Sequence, residues 1–120
     1  MTADRPKVGV MLRHIAAPGG ITVYTKRVVR YLLTHPDGID YHLLYSDDSQ
    51  REVFADLPAT HVVLRDSARL RWDQVTAPRY AEREGLSLLF NTKFSVPLLS
   101  SVPTLIVIPG REQLAMARVF

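Results

Sequence analysis

The sequence contains no cysteine among its 120 residues. It therefore has no disulfide, no thiolate nucleophile and no cysteine-type zinc site. Long apolar runs are also absent: the two longest, residues 86–90 and 105–108, are far too short to cross a bilayer, and the polar start lacks the apolar core of a signal peptide. These absences predict a cytoplasmic location.

Several motifs that would fix a chemistry are missing as well. Neither G-x-G-x-x-G nor G-x-x-x-x-G-K-[ST] occurs, which argues against dinucleotide and P-loop sites, and no serine lies in a G-x-S-x-G elbow. The histidines His14, His35, His42 and His61 have none of the short spacings that metal sites use. We expect neither a metal nor a cofactor.

The composition is that of an ordinary globular domain, with 47% hydrophobic and 22% charged residues. Residues 1–120 are predicted to form a single domain. The formal net charge of +3 comes without a block of like charges, so nucleic-acid binding is not expected. Lys26, Arg27 and Arg30 cluster on one face of a predicted helix. A solvated helix face explains them, and peripheral contact with anionic lipid is the alternative.

Apolar segments alternate with amphipathic ones along the chain. This pattern predicts an α/β fold, a Rossmann-like doubly wound parallel sheet of about five strands with helices on both faces. The predicted strands are residues 7–13, 40–45, 61–65, 86–90 and 104–108, and the predicted helices are 21–34, 51–55, a segment after Ser67 that Pro78 kinks or restarts and Gly85 caps, and 111–120.

The predicted helix 21–34 places its apolar residues on one side, where they should pack on the sheet. That side contains Ile21, Tyr24, Val28, Tyr31 and Leu32.

A Gly-Gly turn connects the first predicted strand to this helix. Such a turn leaves backbone N–H groups unpaired at the positive end of the helix dipole, which suits an anionic or hydroxyl-rich ligand such as a phosphate or a sugar. In doubly wound sheets, ligands bind beyond the carboxyl ends of the strands. This rule selects residues 14–21, 65–67, 91–94 and 109–112 as candidate site segments.

Four features together resemble a known family. They are the first strand with Gly19, Gly20 and Ile21, the helix after them, the Arg-Trp-Asp-Gln segment 71–74, and the loop 91–98 before the fifth strand. In order and spacing they resemble the N-terminal domain of the family-four glycosyltransferases, retaining GT-B-fold enzymes that use nucleotide-diphosphate sugars. The likeness spans roughly residues 7–110.

The resemblance implies roles for particular residues. Gly19, Gly20 and Ile21 would offer backbone amides to the donor phosphate or to acceptor hydroxyls, and Asn91 and Lys93 would hydrogen-bond the acceptor. The alternatives are that the glycines only permit a tight turn, and that the loop holds a structural asparagine and a solvated lysine. The tryptophan of the 71–74 segment is predicted to be a core residue.

Two departures from the family limit what the chain could do alone. Relatives often carry His-Gly or His-Asp after the fifth strand, whereas this chain has Ile-Pro-Gly-Arg at 108–111. The family's nucleotide pocket, its basic pair and its acidic residue belong to a second domain that these residues do not contain. The resemblance therefore implies a truncated hexosyltransferase-type enzyme, the acceptor-side half, without turnover by itself. Its ligands would be a nucleotide-diphosphate sugar and a carbohydrate or lipid-linked acceptor.

Two other functions are compatible with the pattern. One is a stand-alone binding or assembly module that pairs with a separate nucleotide-binding chain, which would cover the apolar residues of the predicted C-terminal helix, Leu114, Met116, Ala117 and Phe120. The other is a phosphoacceptor signalling domain. It would need carboxylates beside Asp66 for Mg²⁺, and the first strand ends without any.

Overall fold

A six-stranded sheet with helices against it forms the fold. A computed structural model describes residues 6–13, 15, 20–35, 38–66, 68–91, 101–108 and 113–117, with the backbone alone at 21, 107–108 and 113–117. The elements in chain order are β1 (Lys7–Met11), α1 (Gly20–Thr34), β2 (Asp40–Tyr45), α2 (Asp48–Arg51) with a 3₁₀ turn (Glu52–Phe54), β3 (Thr60–Val63), α3 (Arg69–Arg71), a π-helical turn (Trp72–Thr76), α4 (Ala77–Arg83), β4 (Leu88–Asn91), β5 (Thr104–Ile108) and β6 (Gln113–Ala117).

The strand order across the sheet is β3-β2-β1-β4-β5-β6. The first five strands are parallel, and β6 runs antiparallel to β5. The prediction of a Rossmann-like, doubly wound α/β fold is therefore confirmed. From β1 the chain adds β2 and β3 on one side of the sheet and then β4 and β5 on the other side. The topological switch point therefore lies between β1 and β4.

Alternation along the central strands builds a core on each side of the sheet. In β1, Val8 and Val10 pack in the α1 layer, whereas Met11 packs on the other side with Leu44 of β2. Burial on both faces explains why these strands are almost continuously apolar. The second layer is made by the helical segment between β3 and β4, whose core residues are Trp72, Ala77, Tyr80 and Ala81.

α1 packs on the sheet through a stripe that differs in part from the predicted one. Thr25 and Val29 are fully buried and Tyr24 and Val28 are partly buried, whereas Tyr31 is 62% exposed. The placement of Tyr31 on the buried side was therefore wrong. Its ring instead stacks on His35, with 4.0 Å between the ring centroids.

The helical segment before β4 changes its winding twice. Pro78 lies at the start of α4, where the π-helical winding gives way to the α-helix. At the other end Gly85 has φ of 71°, and the Leu86 amide donates to the Ala81 carbonyl at 2.9 Å. This is a Schellman termination, so the predicted glycine cap is confirmed.

Gly9, at the middle of β1, lies close to the side chains of two leucines. A Cβ atom there would lie 2.7 Å from Cδ1 of Leu86 and 3.0 Å from Cδ2 of Leu89. The absence of a side chain leaves room for these two leucine side chains, which lie just before β4 and within it.

The prediction of a helix over residues 111–120 was wrong for the part of it that the structure describes. Residues 113–117 form β6, whose backbone pairs with β5 from Gln113 opposite Ile108 to Ala117 opposite Thr104. The sequence Gln-Leu-Ala-Met-Ala consists of good helix formers, but the free edge of β5 offers a full set of backbone partners. The helix surface on which a partner chain was expected is therefore absent at these residues.

None of the helices in the described ranges has both the length and the apolar character that a membrane span requires.

Candidate functional site

A polar cleft of about 450 Å³ lies at the carboxyl ends of the first three strands. It is bounded by the residues that follow β1, β2 and β3 and by the start of α3. Its lining residues are Arg13, Ser46, Asp47, Gln50, Arg65, Asp66 and Arg69. The cleft therefore occupies the edge of the sheet at which doubly wound folds bind their ligands.

An ion pair joins the end of β1 to the π-helical turn. Arg13 donates from Nε to Oδ1 of Asp73 and from Nη2 to Oδ2, both at 2.9 Å. The two side chains are only 17% and 9% exposed. The extra residue that a π turn accommodates brings this carboxylate over the sheet edge, and the two-pronged geometry fixes the guanidinium in the cleft wall.

Gln50 connects the end of β2 to the end of β1. Its Oε1 accepts from the amide of Ser46 at 2.8 Å, and its Nε2 donates to the Arg13 carbonyl at 2.9 Å. The residue is buried, so its amide spaces the two strand ends rigidly. Next to it, Asp47 caps α2 by accepting from the Ser49 amide at 3.2 Å.

Asp66 organises the segment after β3. Its carboxylate accepts from Arg71 at 2.8 and 2.7 Å, from the Ala68 amide at 3.0 Å and from the Thr76 hydroxyl at 2.9 Å. These donors, above all the Arg71 guanidinium, hold the pKa of the Asp66 carboxyl well below its ordinary value. The predicted N-cap, Ser67, lies outside the described residues. The Asp66 side chain instead accepts the hydrogen bond from the Ala68 amide just before α3.

The carboxylate of Asp66 should make stability depend on pH in acid. Its pKa is lowered in the folded state from an ordinary value of 3.8, so its contribution is present above about pH 4 and is lost as the pH falls further. We expect urea unfolding to find the parent protein more stable than D66N at neutral pH, with the difference shrinking below about pH 4.

A matched variant tests this assignment. Asp48→Asn removes an exposed carboxylate that pairs with Arg65 at 2.6 Å. Because exposed ion pairs contribute little, this variant should lose much less stability at neutral pH than D66N. A constant difference between parent and D66N at all pH values would contradict the role given to Asp66.

Charges around the cleft are matched in pairs with two exceptions. Arg13 pairs with Asp73, Arg65 with Asp48, and Asp66 with Arg71. The remaining lining charges, Arg69 and Asp47, form no ion pair with each other or with any other residue that the structure describes. Among its described lining residues, the cleft thus offers one uncompensated cation and one uncompensated carboxylate.

The residues predicted from the Gly-Gly turn and the 91–98 loop fall elsewhere or outside the described ranges. Gly20 is the exposed first residue of α1, and Asn91 is buried at the end of β4. Neither is among the residues that line the cleft. Gly19, Lys93 and the side chain of Ile21 lie outside the described residues.

Sequence reasoning found only two of the cleft residues, Arg65 and Asp66. The rule about carboxyl strand ends was applied after the other predicted strands but not after β2, where it would have selected Ser46 and Asp47. Arg13 was assigned to the strand itself. The pairing of Arg13 with Asp73 spans 60 positions and leaves no local signal.

Trp72 belongs to the core, as predicted. It is fully buried, and its indole Nε1 donates to the Leu64 carbonyl at 2.9 Å. It supports the cleft from below by fixing the π-helical turn that carries Asp73.

The basic face predicted on α1 is partly neutralised. Arg30 donates to Asp56 at 3.0 and 3.3 Å and to the Val53 carbonyl at 3.0 Å. Lys26 and Arg27 remain exposed.

Comparison with known proteins finds no match: no family model, no curated protein and no solved structure is significantly similar to this chain.

Proposed function

We propose that this chain is the acceptor-side, N-terminal half of a nucleotide-sugar-dependent glycosyltransferase of the retaining, GT-B-fold class that its sequence resembles. The observation that carries the proposal is the doubly wound strand order together with a polar cleft at the carboxyl ends of β1, β2 and β3. Ligands of doubly wound sheets bind beyond the carboxyl ends of the strands. A hydroxyl-rich acceptor suits a wall made of arginine, aspartate, serine and amide groups.

The proposal also includes the backbone amides at the start of α1, where Gly20 does not itself line the polar cleft. A helix of 15 residues leaves its first amides without helical partners, and Gly20 stands exposed at that end. In the proposal, the amides of Gly19, Gly20 and Ile21 receive donor phosphate or acceptor hydroxyls, and Asn91 and Lys93 hydrogen-bond the acceptor. The protein acts in the cytoplasm, where nucleotide sugars would be supplied.

Transfer requires a second, nucleotide-binding domain. Departure of a nucleotide diphosphate needs cationic groups that stabilise the developing charge by several kcal/mol. The cleft arginines are mostly neutralised by aspartates, so this chain alone supplies little of that stabilisation. We therefore propose that it has no turnover by itself.

A second candidate is an assembly module that pairs with a separate nucleotide-binding chain. The observation that favours it is an apolar hollow of about 300 Å³ on the α1 side of the sheet. Its lining residues are Val8, Tyr24, Val28, Leu32, Ile39, Tyr41, Leu88, Phe90 and Leu105. In this second proposal, the partner chain covers the hollow and not the C-terminal helix that the sequence predicted.

Isothermal calorimetry with neutral saccharides and with nucleotides tests the proposal. Glucose and maltose should bind the chain weakly, and UDP, GDP and UDP-glucose should not bind tightly, because the nucleotide pocket belongs to the other domain. Tight binding of a nucleotide would overturn the proposal. So would the absence of heat with every saccharide and saccharide phosphate.

A further inference from the structure

We infer that the polar cleft selects a ligand that carries both an anionic group and free hydroxyls, a phosphorylated or carboxylated carbohydrate. This inference rests on the proposed function, since it specifies the acceptor of the same site. It comes from the charges of the lining residues and not from the Gly-Gly turn.

Arg69 is the group that would hold the anion. It is exposed in the cleft, and its side chain makes no hydrogen bond or ion pair within the part of the chain that the structure describes. Its neighbour in the wall, Arg65, is already paired with Asp48. A guanidinium presents a planar fork of N–H donors that matches the oxygens of a phosphate or carboxylate.

Asp47 is the group that would hold the hydroxyls. One of its oxygens caps α2, and no cation pairs with it among the described residues. An ionised carboxylate only accepts hydrogen bonds, so it complements hydroxyl donors and repels a phosphate. The anionic part of a ligand should therefore lie toward Arg69 and its hydroxyls toward Asp47.

The rest of the wall keeps these two groups apart and in place. Arg13 and Asp66 are each held by two-pronged ion pairs, and Gln50 is fixed by its bonds to Ser46 and to the Arg13 carbonyl. None of them must move to admit a ligand. A volume of about 450 Å³ is sufficient for a monosaccharide with one phosphate.

Calorimetric titrations with glucose, inorganic phosphate, glucuronate, glucose 6-phosphate and glucose 1-phosphate test the inference. We expect a sugar phosphate to bind more tightly than either glucose or inorganic phosphate. R69Q should weaken sugar-phosphate binding about tenfold, the loss of one charge-assisted contact, and leave glucose binding unchanged. D47N should weaken glucose binding, and it should not weaken the binding of inorganic phosphate, because the carboxylate that it replaces repels phosphate.

Arg79→Gln is the matched control, because Arg79 is exposed on α4 and does not line the cleft. Equal losses of sugar-phosphate affinity in R79Q and R69Q would show that the effect depends only on net charge, and would overturn the inference. The inference would also be overturned if glucose bound as tightly as its phosphates and R69Q changed neither affinity. The proposed function would still stand in that case. A nucleotide that binds tightly would remove the proposed function instead.

The hydroxyl-bearing anion could be a free sugar phosphate or the headgroup of a lipid. Sedimentation with vesicles of phosphatidylglycerol, against phosphatidylcholine as the reference, separates these sources. We expect the free sugar phosphate to be the ligand, with vesicle binding unchanged by R69Q. Vesicle binding that R69Q abolishes, together with no binding of soluble phosphates, would contradict the free ligand.

Discussion

Replacing Trp72 by alanine should lower the free energy of unfolding by about 3–5 kcal/mol, because a large, fully buried side chain leaves a cavity that its neighbours only partly fill. Trp72 belongs to the same buried cluster as Met11, Leu44 and Leu89 of the sheet. A protein of this size is stabilised by about 5–15 kcal/mol in total, so the variant should be near the limit of folding.

W72F separates packing from hydrogen bonding. Phenylalanine keeps most of the apolar volume but cannot donate to the Leu64 carbonyl, so we expect a loss of about 1–2 kcal/mol. Trp72 is the only tryptophan, so urea unfolding of all forms should be followed by far-ultraviolet circular dichroism instead of fluorescence. A loss below about 1 kcal/mol in W72A would contradict its place in the core.

Removing Asp73 should be the second large effect. D73A leaves the guanidinium of Arg13 without its carboxylate in a site where that side chain is only 17% exposed. Breaking such a pair by deleting one partner costs more than the pair contributes, and we expect about 2–3 kcal/mol from urea unfolding. The double variant Arg13→Met, Asp73→Leu should recover part of this loss, since no charge is then left unpaired.

Asp56→Ala is the matched control for D73A. Asp56 forms a similar pair with Arg30, but both side chains are largely exposed, so its removal should change stability far less. Losses of equal size in the two variants would contradict a structural role for the Arg13 to Asp73 pair. D73A should also weaken sugar-phosphate binding, because Asp73 no longer holds the Arg13 side chain in the cleft wall.

The parts of the fold that local sequence patterns determine were predicted well. β2 was predicted at its observed bounds, since a short apolar run between turn residues has few alternatives. The termination at Gly85 followed from the one residue type that adopts positive φ readily. Pro78 marked the start of α4 for a similarly local reason.

The parts that depend on distant partners were not predicted. β6 exists because β5 has a free edge, and no property of residues 113–117 alone reveals that edge. The π-helical turn holds Asp73 against Arg13, a contact between segments that only the folded sheet brings together. The cleft therefore became visible only when the strand ends were placed side by side.

The most direct test of the account is a map of amide chemical-shift changes as glucose 6-phosphate is added to the ¹⁵N-labelled chain. We predict the largest changes at the carboxyl ends of β1, β2 and β3, around Arg13, Asp47 and Arg69. A second hollow of about 360 Å³ lies at the other end of the sheet, lined in part by Leu33 and Thr60. Changes that gather there, or no saturable changes anywhere, would contradict the claim that the carboxyl edge binds a hydroxyl-bearing anion.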